Sequence, residues 1–136
     1  MKKKKICYLT ELEVARLTKF AAEPALAHQR QPLLDELLEH AAIVDAHEIA
    51  RNVVTIGSQV VLLDEQTGES MTWTVVYPPQ ADVAHGRLNV FSPAGHALLG
   101  AKRGEHIHFT TPGGVQKAMK VDKILYQPEA ANDTAS

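Results

Sequence analysis

The chain has 136 residues, 45% hydrophobic and 22% charged, with a net charge of −2 and a pI near 6.4. That supports one modest core, and the mildly acidic balance excludes general electrostatic coating of DNA or RNA. The expected partner is therefore a protein or a small molecule. A single cysteine, Cys7, cannot form an internal disulfide, and no apolar run approaches the roughly 18 residues of a membrane span. The opening lysines, Lys2 to Lys5, precede an apolar run of only Ile6 to Leu9, too short for a signal peptide. They read as a solvated terminus, and a cytoplasmic location is expected.

Helical spacing dominates before residue 50, and short β-rich runs dominate after it. Thr10-Glu11-Leu12-Glu13 has the form of a capping box and predicts a helix to about Ala22, ended by Glu23-Pro24. Leu9, Leu12, Leu17 and Phe20 share its apolar arc. A second helix is predicted from Pro32, with Leu33, Leu34, Leu37, Leu38, Ala41 and Val44 on one face. Two such helices on a short link should pair antiparallel. Arg16 would then either reach Asp35 or Glu39 or remain solvated.

From Asn52 the chain reads as strands: Val53–Ile56, Gln59–Leu63, Met71–Tyr77, Leu88–Phe91, Glu105–Thr110 and Val115–Tyr126. Turns are expected at Asp64–Gly68, at Pro78-Pro79, at His85-Gly86 and at Pro112-Gly113-Gly114. The last strand does not alternate strictly at Val121, Ile124 and Leu125, which points to a bulge or twist. Between the strands, Ser92 to Gly100 reads as one short helix, with Ser92 as cap, Pro93 in first position and Gly100 closing it.

The chemistry-bearing residues give no catalytic constellation. His106 and His108 share a strand face but lack an evident third metal ligand. Glu36 and His40 are one helical turn apart, ordinary decoration of a polar helix face. Ser92 and His96 lack the Gly-x-Ser-x-Gly context of a hydrolase. Gly113-Gly114 is too short to cradle a phosphate. The scattered aromatics Trp73, Tyr77, Phe91 and Phe109 read as core. No cofactor, metal site or enzymatic activity is expected.

The second half nonetheless carries a pattern. Val60-Val61-Leu62-Leu63-Asp64, Thr67-Gly68-Glu69, Ser92-Pro93-Ala94-Gly95-His96-Ala97-Leu98-Leu99-Gly100, Gly104 and Pro112-Gly113-Gly114 together resemble the C-terminal domain of the Gre transcription factors over about residues 52–128. The short front end, with Leu9-Thr10-Glu11-Leu12-Glu13 and Ala15-Arg16-Leu17, and the closing Tyr126-Gln127-Pro128-Glu129-Ala130 are similar to one branch of that superfamily. That branch is the Rnk family, regulators of nucleoside diphosphate kinase.

The resemblance implies an α+β protein: a helical hairpin over residues 1–50, an FKBP-like domain of antiparallel sheet and short helix over 51–128, and a flexible tail over 129–136. It also implies a partner, RNA polymerase, at the rim of the secondary channel. Gre factors insert a long helical hairpin into that channel, where acidic tip residues help hold magnesium for transcript cleavage. Here the link between the helices carries a single carboxylate, Glu23, a poor magnesium site. The expectation is a non-enzymatic regulator that competes with Gre factors without stimulating cleavage. Ser92, Pro93, Ala94 and Gly95, with Val90 and Leu98, are the candidate partner contacts. Pro93 equally fits a helix start alone, and Leu99 fits core. The FKBP-like fold leaves one alternative, a peptidyl-prolyl isomerase or peptide-binding module. Nothing in the sequence shows direct contact with a kinase.

Overall fold

The computed structural model describes residues 6–45, 52–111 and 113–126. The opening lysines and the expected tail 129–136 lie outside the described residues. In chain order the elements are β1 (Cys7–Leu9), α1 (Glu11–Ala21), α2 (Ala27–Glu39), β2 (Ala41–Ile43), β3 (Gln59–Leu63), β4 (Ser70–Val76), β5 (Arg87–Asn89), α3 (Pro93–Leu98), β6 (His106–Thr110) and β7 (Gln116–Tyr126). Two short 3-10 turns, Pro78–Gln80 and Val83–His85, link β4 to β5.

The capping box forms as read. Glu13 N–H donates to Thr10 Oγ1 at 3.2 Å, and Thr10 N–H donates to Glu13 Oε1 at 2.9 Å. Helix α1 stops at Ala21, just ahead of Glu23-Pro24. Helix α2 departs from expectation at both ends. It begins at Ala27, so Pro32 lies inside it. The extra leading turn is held by Arg30, whose Nη1 donates to the Phe20 carbonyl at 3.0 Å and lies 3.4 Å from Glu23. One lost backbone bond at an exposed proline is tolerated once the turn before it is anchored this way.

At its far end α2 stops at Glu39, and Ala41–Ile43 becomes β2, paired in parallel with β1. Cys7 N–H donates to the His40 carbonyl and Val44 N–H to the Leu9 carbonyl. Leu9 thus belongs to this small sheet and Val44 follows its last residue, so neither lies on a helix face. Tertiary pairing overrides helical periodicity here. Arg16 lies over the Tyr77 ring, 5.8 Å from its centroid, in place of the expected Asp35 or Glu39.

The main sheet has the order β5-β4-β3-β7-β6. It is mixed and not purely antiparallel, because β5 runs parallel to β4. The bulge anticipated in the last strand is present: the β3–β7 register shifts between Gln59 and Val60 and again between Val61 and Leu62. This lets Val121 and Ile124 both face Leu62 and Val60 on the buried side. Val53–Ile56 is buried but is not a strand. Val53 makes a single bridge to Lys102, and Val54 bonds with the exit of α3.

One apolar cluster unites the two halves of the chain. Leu9, Leu17, Ala21, Leu34 and Leu37 from the helical half join Val60, Leu62, Val75, Leu98, Leu99, Met119 and Val121 from the sheet half. Phe20 against Tyr77 and Arg30 over Phe91 extend the seam. Leu17 is fully buried, so Leu17→Ala should cost about 2–5 kcal/mol. Because the core is shared, calorimetry of that variant should show one transition at lower temperature; separate melting of helices and sheet would contradict a common core.

Asp64 closes the β3–β4 turn and is 3% exposed. Burial raises the pKa of its carboxyl. The N–H groups of Gln66 and Thr67 and the Lys117 ammonium, 3.4 Å away, outweigh burial and leave it below the ordinary carboxylate value. A lowered folded pKa contributes stability that is complete above the unfolded value and lost as pH falls through the folded one. Urea midpoints should therefore put Asp64→Asn below the native protein at pH 6. The gap should close as pH drops below 3.8.

Candidate partner-docking segment

Helix α3 is only six residues long, and its ends are fixed by its own sequence. Ser92 Oγ accepts from Gly95 N–H at 3.1 Å and donates to the Asn89 carbonyl at 2.6 Å. Pro93 occupies the first helical position, where its missing N–H is not needed. Asn89 Oδ1 accepts from Phe91 N–H, so the β5-to-α3 corner is tied on both sides.

Gly95 and Gly100 are dictated by space. A Cβ on Gly95 would strike the Asn89 carbonyl oxygen, a backbone atom that cannot rotate away. Gly100 has φ +87°, and a Cβ there would meet Cys7 Cα at 3.0 Å. The exit of α3 therefore abuts β1, and Gly100 N–H bonds to the Val54 carbonyl. The left-handed conformation expected of Gly100 is present.

The six candidate contact residues do not share one surface. Pro93 is exposed, and Ser92 and Ala94 are half-buried. Val90 and Leu98 are fully buried in the core, and Gly95 is buried against β5. Val90 and Leu98 are therefore corrected from contact residues to packing residues. Their apolar character serves the seat of α3 on the sheet. The solvent-facing edge of the segment is Ser92-Pro93-Ala94.

Beside that face runs a groove of about 580 Å³ between α2, α3 and β6. It brings His106 and His108 together with His40, His96 and Pro93, a convergence the sequence spacing did not reveal. His40 and His96 each bury Nε2 with no hydrogen-bond partner among the described residues. His106 Nε2 pairs with Glu65. Among the described residues no group of three or more His, Cys, Asp or Glu is arranged to hold a metal. No helix among them is long and apolar enough to cross a membrane.

Residues 49–126 match the family described as transcription elongation factor GreA/GreB, C-terminal. The regulator of nucleoside diphosphate kinase of Escherichia coli K12 is 35% identical over 92% of this chain and 93% of its own. GreA of Nautilia profundicola is 38% identical over 69% of this chain, which spans 57% of that factor. Among solved structures, a GreA/GreB elongation factor from Nitrosomonas europaea aligns over 90% of this chain with a TM-score of 0.72 and 29% identity. The chain belongs to the GreA/GreB C-terminal family. None of these relatives supports the isomerase alternative, and Trp73 packs on Phe109 within the core region.

Steric necessity at Gly95 makes a direct prediction. Gly95→Ala should lower stability by about 1–3 kcal/mol through overpacking, read as a drop in thermal midpoint, whether or not a partner is present.

Proposed function

We propose that the protein is a non-enzymatic transcription regulator that docks on RNA polymerase near the secondary-channel rim and competes there with Gre factors without stimulating transcript cleavage. Membership of the GreA/GreB C-terminal family supports the kind of partner. The observation that carries the non-cleaving part is the helix pair. Helix α1 has 11 residues, about 16 Å at 1.5 Å per residue, too short for deep insertion. The link from Ala22 to Leu26 offers one carboxylate, Glu23, and Arg30 already engages it.

The helices are also seated on the sheet through the shared core, so they form a blunt end in place of a probe. Docking falls to the exposed edge Ser92-Pro93-Ala94. The effect on a nucleoside diphosphate kinase recorded in the Escherichia coli relative's name can be exerted through transcription, with no contact between the two proteins.

Binding to purified polymerase tests this with two readouts. Ala94→Glu, checked for an unchanged circular dichroism spectrum, should weaken binding by about 1–3 kcal/mol. On backtracked complexes with magnesium the native protein should leave cleavage at the background rate and should reduce the rate supported by a Gre factor. Binding indifferent to Ala94→Glu, or cleavage abolished by Glu23→Ala, would overturn the reading.

A further inference from the structure

The five-stranded sheet has two edges, and the chain treats them differently. At the β5 edge Arg87 N–H donates to the Asp82 carbonyl, Asp82 N–H donates to the Arg87 carbonyl, and Ser92 N–H donates to the Asn89 carbonyl. The chain closes that edge with its own backbone. At the opposite edge β6 has β7 on one side and no strand on the other.

The register shows which groups are left over on β6. Thr111 N–H donates to the Val115 carbonyl, and Val121 N–H donates to the Glu105 carbonyl. Backbone groups alternate in direction along an antiparallel pair, so Ile107 and Phe109 also turn theirs to β7. His106, His108 and Thr110 turn theirs outward. Each offers one N–H and one carbonyl, without a hydrogen-bond partner among the described residues.

Exposed edges are blunted by lysine, proline, a bulge or a covering segment. His106-Ile107-His108-Phe109-Thr110 contains neither lysine nor proline, and its register with β7 is unbroken. What runs beside it is the groove between α2, α3 and β6, whose lining takes in every residue from Glu105 to Phe109. Successive side chains of a strand point to opposite faces. A groove that touches all of them lies along the edge of the strand and not over one face.

We propose that the β6 edge takes an extended, basic segment of a partner protein as a sixth strand of the sheet. Main-chain bonds to His106, His108 and Thr110 hold it, about 4.8 Å from β6. In antiparallel addition the incoming residues that bond β6 lie on the open face, and those between them face the groove beside Ile107 and Phe109. The first set suits polar β-formers and the second apolar ones. Charge selects the partner. Glu36 and Glu105 line the groove, and no lysine or arginine does; Lys102 and Lys120 stand next to it but outside its lining. A second copy of this chain would set those carboxylates against their own kind, whereas a segment bearing lysine or arginine complements them.

This contact does not depend on polymerase docking, and its test needs none. A fluorescent, capped peptide that alternates valine with threonine and ends in lysine on both sides is titrated with full-length protein. It should bind, and a version ending in glutamate should bind roughly fivefold more weakly at low salt. N-methylation of the threonine amides, which face β6, should abolish binding; N-methylation of the valine amides should not. Thr110→Pro removes one outward N–H at a position where an edge strand accepts proline. It should weaken binding roughly fivefold, with an unchanged circular dichroism spectrum. Failure of the lysine-ended peptide to bind overturns the proposal, as does equal loss from the two methylated peptides or equal binding of the glutamate-ended one. Sedimentation that shows a dimer dissociated by Thr110→Pro would give the edge to a second copy instead.

Discussion

The seating of two short helices on the buried side of the sheet governs the rest of the molecule. A chain of this length has too little apolar surface for two cores, so Leu17, Ala21, Leu34 and Leu37 complete the core begun by Val60, Leu62 and Val75. Burying each leucine is worth about 1.5–3 kcal/mol. Arg30 fixes where the helices sit. Its guanidinium is 5.3 Å from the Phe91 ring and also holds the Phe20 carbonyl at the end of α1. One side chain thus joins the helix link to the corner that leads into α3.

That corner explains how so short a helix is held in place. Ser92, Asn89 and Gly95 use their polar groups on one another, and Gly95 lets the backbones approach more closely than any side chain would permit. Pro93 adds a fixed φ. These bonds and the fixed φ hold the exposed edge in one conformation, the kind of pre-organised surface that would lose little conformational entropy in the proposed docking. Val90 and Leu98 matter to this edge from beneath, as the packing that holds it level.

Local signals in the sequence were legible where a single residue type has one conformational use. Thr10 and Glu13 made a capping box, Pro24 ended α1, Ser92 and Pro93 opened α3, and Gly100 closed it. Legibility failed where distant pairing decides. Ala41 to Val44 continue the helical period of α2, yet bond to β1, thirty-odd residues earlier. Val53 to Ile56 have strand composition, but the neighbours that take their bonds belong to the exit of α3 and to Ser58. The parallel β4–β5 pair was hidden for the same reason: the turns from Pro78 to His85 reverse the chain twice. For the candidate contacts, Val90 and Leu98 show the limit of motif reading, because a fixed pattern records packing and contact alike.

The same sheet register that buries one face leaves the other to collect charge. Side chains alternate across a strand, so each apolar residue that the core demands on β3, β4 and β7 sets an outward neighbour free to be polar. The bulges in β7 add to this. By letting Val121 and Ile124 both reach the core, they put Lys120 and Lys123 on the open side at positions that strict alternation would not have matched. Carboxylates outnumber cations on the two long helices, while Lys120 and Lys123 stand on the outward side of β7. Net charge governs solubility and bulk behaviour; where a partner lands depends on how the fold sorts those charges. Here the fold sorts them by the requirements of packing, and the open face inherits its cations from the demands of the buried one.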